Sequence, residues 1–123
     1  MMAEILDVVE LAVNIPGQGL YAGIQGTIVE CHPGDAYEVE FMNEHGETLA
    51  LLALRRHQFM VVWRAKTGDW VPLAERVAAL VTALPEDTGQ EALDFVRFLY
   101  QRRQHSQVYH ATSSAEVTRR LPA

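Results

Sequence analysis

The chain has 123 residues, of which 49% are hydrophobic and 21% charged, the balance of an ordinary globular domain. Its formal net charge of −6 opposes binding to phosphate backbones, so we expect no nucleic-acid partner. The single cysteine, Cys31, excludes a disulfide within the chain and indicates a reducing, cytoplasmic compartment.

Targeting and membrane segments are not expected from the sequence. The first residues include Glu4, Asp7 and Glu10 and no base, which is not the pattern of a signal peptide. No apolar run approaches the ~20 residues that cross a bilayer. We therefore expect a cytoplasmic protein without membrane contact.

The first half of the chain predicts five strands, at 7–13, 26–32, 36–42, 48–54 and 59–63. The run at 36–42 shows the pattern best, because Tyr37, Val39 and Phe41 alternate with two glutamates. Pro33–Gly34 and Gly46 supply turn residues between strands. Short strands at this spacing favour a small five-stranded β-barrel over residues 1–63, followed by a linker at 64–72.

The second half changes to a helical period. Apolar residues at 73, 77, 80, 81 and 84 share one helical face and follow Pro72, which suits the start of a helix. A second helix is predicted at 89–104, after turn residues at 84–90. We expect an αα-hairpin over 73–104 and a flexible tail over 105–123, giving an α+β fold class.

Catalytic, cofactor and metal sites are not predicted. Cys31 and His32 are neighbours on a strand and point to opposite faces, so Cys31 is expected to be a buried structural residue. The five histidines lack the spacing of a paired metal site, and no second cysteine completes a zinc site. We expect a protein that is not an enzyme and binds neither cofactor nor metal.

Two surfaces are candidate partner-binding sites. The second helix concentrates large apolar side chains, more than one neighbouring helix can cover. The predicted strand 36–42 presents an acidic face, within a segment where nine acids face two bases over residues 1–63. The candidate residues are Phe95, Phe98, Leu99 and Tyr100 on the helix and Glu38 and Glu40 on the strand.

Two resemblances rest on short strings. LDVVELAVNIP (6–16), GLYAGIQGTIVE (19–30), YEVEF (37–41) and ETLALLALRRHQF (47–59) resemble a family of small bacterial proteins of unknown function with an SH3-like barrel. That resemblance implies a barrel and, often, the antitoxin-like member of a paired gene set. LPE and EALDFVRFL, within 73–103, resemble the helical segment of antitoxin-type proteins, although an acidic segment replaces their N-terminal DNA-binding hairpin.

These observations favour a non-catalytic protein-binding module that masks a partner. The antitoxin or immunity member of a bacterial pair is the form we expect, with a toxin as the partner. The alternative is an accessory or stabilising subunit of a larger enzyme complex, and the apolar helix face is also compatible with a homo-oligomer.

Overall fold

The computed structural model describes residues 3–110, with side chains as far as Gln104. Two short 3-10 turns, at Pro16–Gln18 and Arg56–Gln58, interrupt the strands. Five strands lie where the alternation predicted them, and the α+β class is confirmed. The elements are β1 Val8–Leu11, β2 Gln25–His32, β3 Ala36–Met42, β4 Thr48–Arg55, β5 Phe59–Arg64, β6 Asp69–Trp70, α1 Leu73–Thr82 and α2 Glu86–His110.

The strands form one antiparallel sheet in the order β4-β3-β2-β1-β5-β6. The prediction of a five-stranded barrel is therefore wrong in two respects, because a sixth strand is present and the sheet is not closed. Its two ends differ: β4 is eight residues long and pairs with β3, whereas β6 is two residues long and pairs with β5. No strand pairing within residues 3–110 joins these ends.

The sixth strand arises within the segment predicted as a linker. Gly68 has a positive φ of 70°, and its amide donates to the carbonyl of Arg64, which turns the chain back along β5. Trp70 then pairs with Trp63, and the amide of Val71 donates to the carbonyl of Val62. Val71 is buried, so this segment contributes to the core.

The core lies on the inner face of the sheet. Phe41, fully buried, packs against Gly26 on the neighbouring strand, where a Cβ would stand 2.8 Å from the phenylalanine ring and 2.9 Å from the carbonyl oxygen of Glu40. Glycine is thus required at this position by a close side-chain approach. The buried apolar cluster is Ala3, Val9, Leu11, Leu20, Ile28, Tyr37, Val39, Phe41, Leu54, Phe59, Val61 and Val71.

The carboxylate of Asp7 is buried within this unit, with 2% of the residue exposed. Its Oδ2 accepts the amide of Glu4 at 2.9 Å, and its Oδ1 accepts the amide of Ala65 at 3.0 Å. The backbone of Asp7 is also paired, because its carbonyl accepts the amide of Ile28. One residue therefore ties the entry of β1 to β2 and to the end of β5.

The described chain divides into two compact units, one ending at Ala83 and one beginning at Leu84. The first helix, α1, belongs to the unit that holds the sheet and lies against β5. The second unit contains α2, so the αα-hairpin stays a prediction. Because α2 continues to His110, the first residues of the predicted tail are helical, and residues 111–123 lie outside the described part.

We expect Gly26→Ala to lower the free energy of unfolding by about 1–3 kcal/mol, because the new methyl group overlaps the buried ring of Phe41. Urea denaturation measures the change. Gly17→Ala is the control, since its Cβ would have nothing within 4 Å, and it should cause no loss. Equal stability of the two variants would contradict the packing described.

We expect Asp7→Ala to cost about 2–4 kcal/mol, because two partly buried amides lose their acceptor. The same denaturation experiment applies, with Glu10→Ala on the half-buried face of β1 as the control. A loss no larger than that of the control would show that Asp7 does not hold these segments together.

Candidate functional site

The first candidate surface is the apolar face of α2, formed by Leu93, Phe95, Val96, Phe98, Leu99 and Tyr100. The three aromatic side chains are 60%, 53% and 68% exposed at Phe95, Phe98 and Tyr100. The rings of Phe95 and Phe98 lie 6.2 Å apart between centroids, within the range of favourable aromatic pairs. Leu99 is half-buried. Helical spacing thus places Leu93, Val96 and Tyr100 on one stripe of α2, while Phe95 and Phe98 pair with each other on its flank.

The charged residues of α2 are segregated, with acids in the first part of the helix and arginines in the later part. Glu86 and Asp87 occupy its first turn, where carboxylates interact favourably with the helix dipole, and Glu91 and Asp94 follow. The later part carries arginines: Arg97 pairs with Asp94 at 3.4 Å, and the guanidinium of Arg102 lies 5.9 Å from the ring centroid of Phe98. The apolar face is therefore bordered by acids at one end and bases at the other.

The second candidate surface is the outer face of β3. Glu38 is 3.1 Å from Nε2 of His32, and Glu40 accepts a hydrogen bond from the hydroxyl of Thr48 at 2.7 Å. Glu30 lies opposite Glu38, so three carboxylates and one imidazole share this face. The structure thus places the predicted Glu38 and Glu40 beside Glu30 and His32 of the neighbouring strand.

Exposed leucines beside these acids were not singled out by the sequence reasoning. Leu49 and Leu51 on β4 are 53% and 56% exposed, and Leu51 lies directly opposite Glu40. The sequence did contain a signal for these exposed leucines. A strand with one solvated face carries polar residues at every second position, whereas the TLALLALR run is apolar at both alternating positions.

A groove of about 850 Å³ lies between α1 and β5. Four of the chain's ten basic residues line it, namely Arg55, Arg56, Arg64 and Arg76. Arg64 is 3.8 Å from Glu75, and Nε of Arg76 is buried without a hydrogen-bond partner among the described residues. The groove therefore gathers positive charge within an acidic chain.

Cys31 is exposed, so the prediction of a buried structural cysteine is wrong. A β-bulge at Val29 shifts the pairing of β2 with β3 by one residue, so that Cys31 pairs with the buried Tyr37. Cys31 is exposed all the same, because it lies near the end of β2, where every residue from Val29 to His32 is at least partly exposed.

The described residues hold no group of three or more histidine, cysteine or carboxylate side chains that could bind a metal ion. Within the same part of the chain, neither helix combines the length and apolar composition needed to cross a bilayer.

We expect the thiol of Cys31 to react with an aromatic disulfide reagent in the native protein, at a rate within roughly tenfold of that in denaturant. The released thiolate is followed by absorbance, with Cys31→Ser as the blank. A thiol that reacts only after unfolding would place Cys31 in the core after all.

Comparison with known proteins gives one match, to a family of unknown function. Residues 5–61, just under half of the chain, match the family described as "Domain of unknown function (DUF4926)". The match spans β1 to the first half of β5, and it agrees with the resemblance to an uncharacterised family found from the sequence. The comparisons with curated proteins and with solved structures found no match.

Proposed function

We propose that this chain is a non-catalytic protein-binding module that docks α2 into an apolar groove on a partner protein and masks that partner's surface. The observation that carries the proposal is the exposure of Phe95, Phe98 and Tyr100, each more than half accessible on one helix. Monomeric proteins seldom leave an aromatic patch of this kind uncovered.

The mode of binding follows from the helix. An amphipathic helix recognises a groove through side chains spaced three and four positions apart, which Leu93, Val96 and Tyr100 supply, with Phe95 and Phe98 widening the contact. Burying one such side chain contributes about 1.5–3 kcal/mol, so two phenylalanines alone account for more than a tenfold change in affinity.

The charges of α2 narrow the chemistry of the partner. Acids border the first half of the apolar face and arginines the second half. A complementary groove therefore has a basic rim at one end and an acidic rim at the other. The surplus of acids in residues 1–63, including Glu38 and Glu40, would attract a basic partner from a distance and raise its association rate.

We infer that the partner is a bacterial toxin and that this chain is its antitoxin or immunity protein, acting in the cytoplasm. The resemblance of residues 73–103 to the helical segment of antitoxin-type proteins supports this form. The alternative is an accessory subunit that permanently covers an apolar surface of a larger enzyme, since the same exposed helix would serve that role.

We expect Phe95→Asp and Phe98→Asp each to weaken partner binding at least tenfold, because each puts a charge where the proposed complex buries an aromatic ring. The partner is captured from native cells with the tagged wild-type chain, purified, and titrated against each variant by calorimetry. Gln101→Asp is the matched control, because it adds the same charge on the polar side of α2 and should leave the affinity unchanged.

Circular dichroism of each variant separates a binding defect from unfolding of α2. Equal binding by all three variants, with α2 still helical, would refute docking through this face.

A growth assay then distinguishes the two forms of the proposal. Expression of an antitoxin's partner alone arrests growth and co-expression restores it, whereas the partner of an accessory subunit loses enzyme activity without this chain.

A further inference from the structure

The basic residues of the unit that ends at Ala83 are concentrated in the groove between α1 and β5. The bases of this unit are Arg55, Arg56, Arg64, Lys66 and Arg76. All of them except Lys66 line the groove. The acids of the same unit stand at positions 4, 7, 10, 30, 35, 38, 40, 44, 47, 69 and 75, and only Asp35 and Glu75 line it. The groove is therefore a basic site in a unit whose other charged residues are mostly acidic.

Carboxylates of the chain neutralise little of this positive charge. Arg55 and Arg56 each donate to a backbone carbonyl, at 2.9 and 3.0 Å, and these acceptors carry no net charge. Of the four groove arginines, only Arg64 forms an ion pair within the described residues. That pair is long, with 3.8 Å between Arg64 and Glu75, and the side chain of Glu75 is 55% exposed. The guanidinium groups thus keep their capacity to attract an anion.

Arg76 supplies an independent observation that points to a ligand. Its Nε is shielded from solvent and has no hydrogen-bond partner among the described residues. A buried donor without an acceptor costs the free energy of its desolvation, so such groups are rare in folded proteins. Arg64 approaches Glu75, the residue before Arg76, so the two arginines lie at the same part of the groove. The described residues thus bring donors together there without supplying an acceptor to Arg76.

Apolar side chains form the remaining walls of the groove. Phe59, Val61 and Val71 belong to the buried core and line its sheet side. On the helix side, alanines at positions 78, 79 and 83 have short side chains that leave room between α1 and β5. The volume of about 850 Å³ is within the range of small-molecule sites. This combination suits a ligand that joins an anionic group to an apolar body.

We propose that the groove between α1 and β5 binds a small organic oxyanion, a carboxylate or a phosphate monoester on an apolar body. Arg76 donates through Nε and a terminal nitrogen to two oxygens of the anionic group, the bidentate geometry that suits both oxyanions. Arg64 adds a second positive charge from β5. The apolar body lies against Phe59 and Val61.

The charge distribution favours a small anion over a polyanion. The chain has a formal net charge of −6, and the acids of the sheet unit lie mostly outside the groove. A nucleic acid or a strongly acidic peptide extends past the groove and meets this negative charge, and the repulsion grows with the number of charges that the ligand carries. A small anion ends within the groove and avoids most of it.

The anion site is independent of the proposed function. Phe95 and Phe98 do not line the groove. Phe95→Asp therefore leaves anion binding unchanged, whereas it weakens binding of the partner protein. Failure of either proposal is distinguishable from failure of the other.

The test is a nuclear magnetic resonance titration of the ¹⁵N-labelled full chain at constant ionic strength, with phenyl phosphate and benzoate as probes. Each probe shifts backbone amides of residues 59–64 and 73–83 in a saturable manner. Phenol lacks the anionic group and inorganic phosphate lacks the ring, so each binds about tenfold or more weakly than phenyl phosphate. The tighter of phenyl phosphate and benzoate identifies the oxyanion that the site prefers.

Arg76→Met weakens binding of the tighter probe about tenfold or more, because it removes the guanidinium and keeps an apolar side chain. Lys66→Met is the matched control, since it removes the same charge from the same unit outside the groove, and it changes the affinity less than about twofold. Arg76→Lys keeps the charge but loses the planar fork, so its loss is intermediate. The spectrum of each variant reports its folding, and Arg76→Lys decides the test if Arg76→Met unfolds.

The proposal is overturned if neither probe shifts the groove amides at any soluble concentration, or if inorganic phosphate binds as tightly as phenyl phosphate. Equal losses in Lys66→Met and Arg76→Met also overturn it, because they indicate attraction by net charge alone. Tighter binding of a hexaglutamate peptide than of either small probe assigns the groove to an acidic protein segment instead.

Discussion

The hydrogen bonds of the buried Asp7 carboxylate hold together parts of the chain 58 positions apart. Asp7 stands at the entry to β1, the strand that pairs with both β2 and β5. A buried carboxylate is costly unless its oxygens are satisfied, and here each oxygen accepts a backbone amide. Because these donors come from Glu4 and Ala65, the chain must close around Asp7 before the carboxylate is satisfied. The central position of β1 in the sheet therefore depends on this polar contact as well as on the apolar core.

The two edges of the sheet, on either side of β1, differ in how well other elements cover them. On the β5 side, Phe59 and Val61 point into the core, while Met60 and Val62 are buried as well, on a strand against which α1 lies. On the β4 side, no described element adds a further strand. The difference between a covered end and an open end explains why exposed apolar side chains gather on β4.

The positions of five strands and the α+β class could be predicted from the sequence because period-two alternation and turn residues act locally. β6 was missed because two residues carry no period, and its formation depends on the turn at Gly68 and on pairing with β5. The exposure of Cys31 was missed because its burial was inferred from the residue type, whereas the end of β2 extends past the packed core, which local sequence does not reveal. Asp7 was counted only as a charge, since a single carboxylate gives no sign of donors that are distant in the sequence. The candidate residues of α2 followed directly from helical spacing, which needs no tertiary information.

The exposed apolar side chains of β4 and of α2 belong to two units of the chain that differ in their core. The unit that contains the sheet has a core in which Phe41, Ile28 and Val39 are fully buried, so Leu49 and Leu51 are not needed to fill it. A leucine on the solvated side of a strand gains nothing from the fold of its own chain and favours association. In the described part of its unit, up to His110, α2 is accompanied by no strand, and Phe95, Phe98 and Tyr100 are each more than half exposed. In the described residues 3–110 both surfaces are exposed to solvent, so the hydrophobic free energy of covering them is available to any association that buries their apolar area.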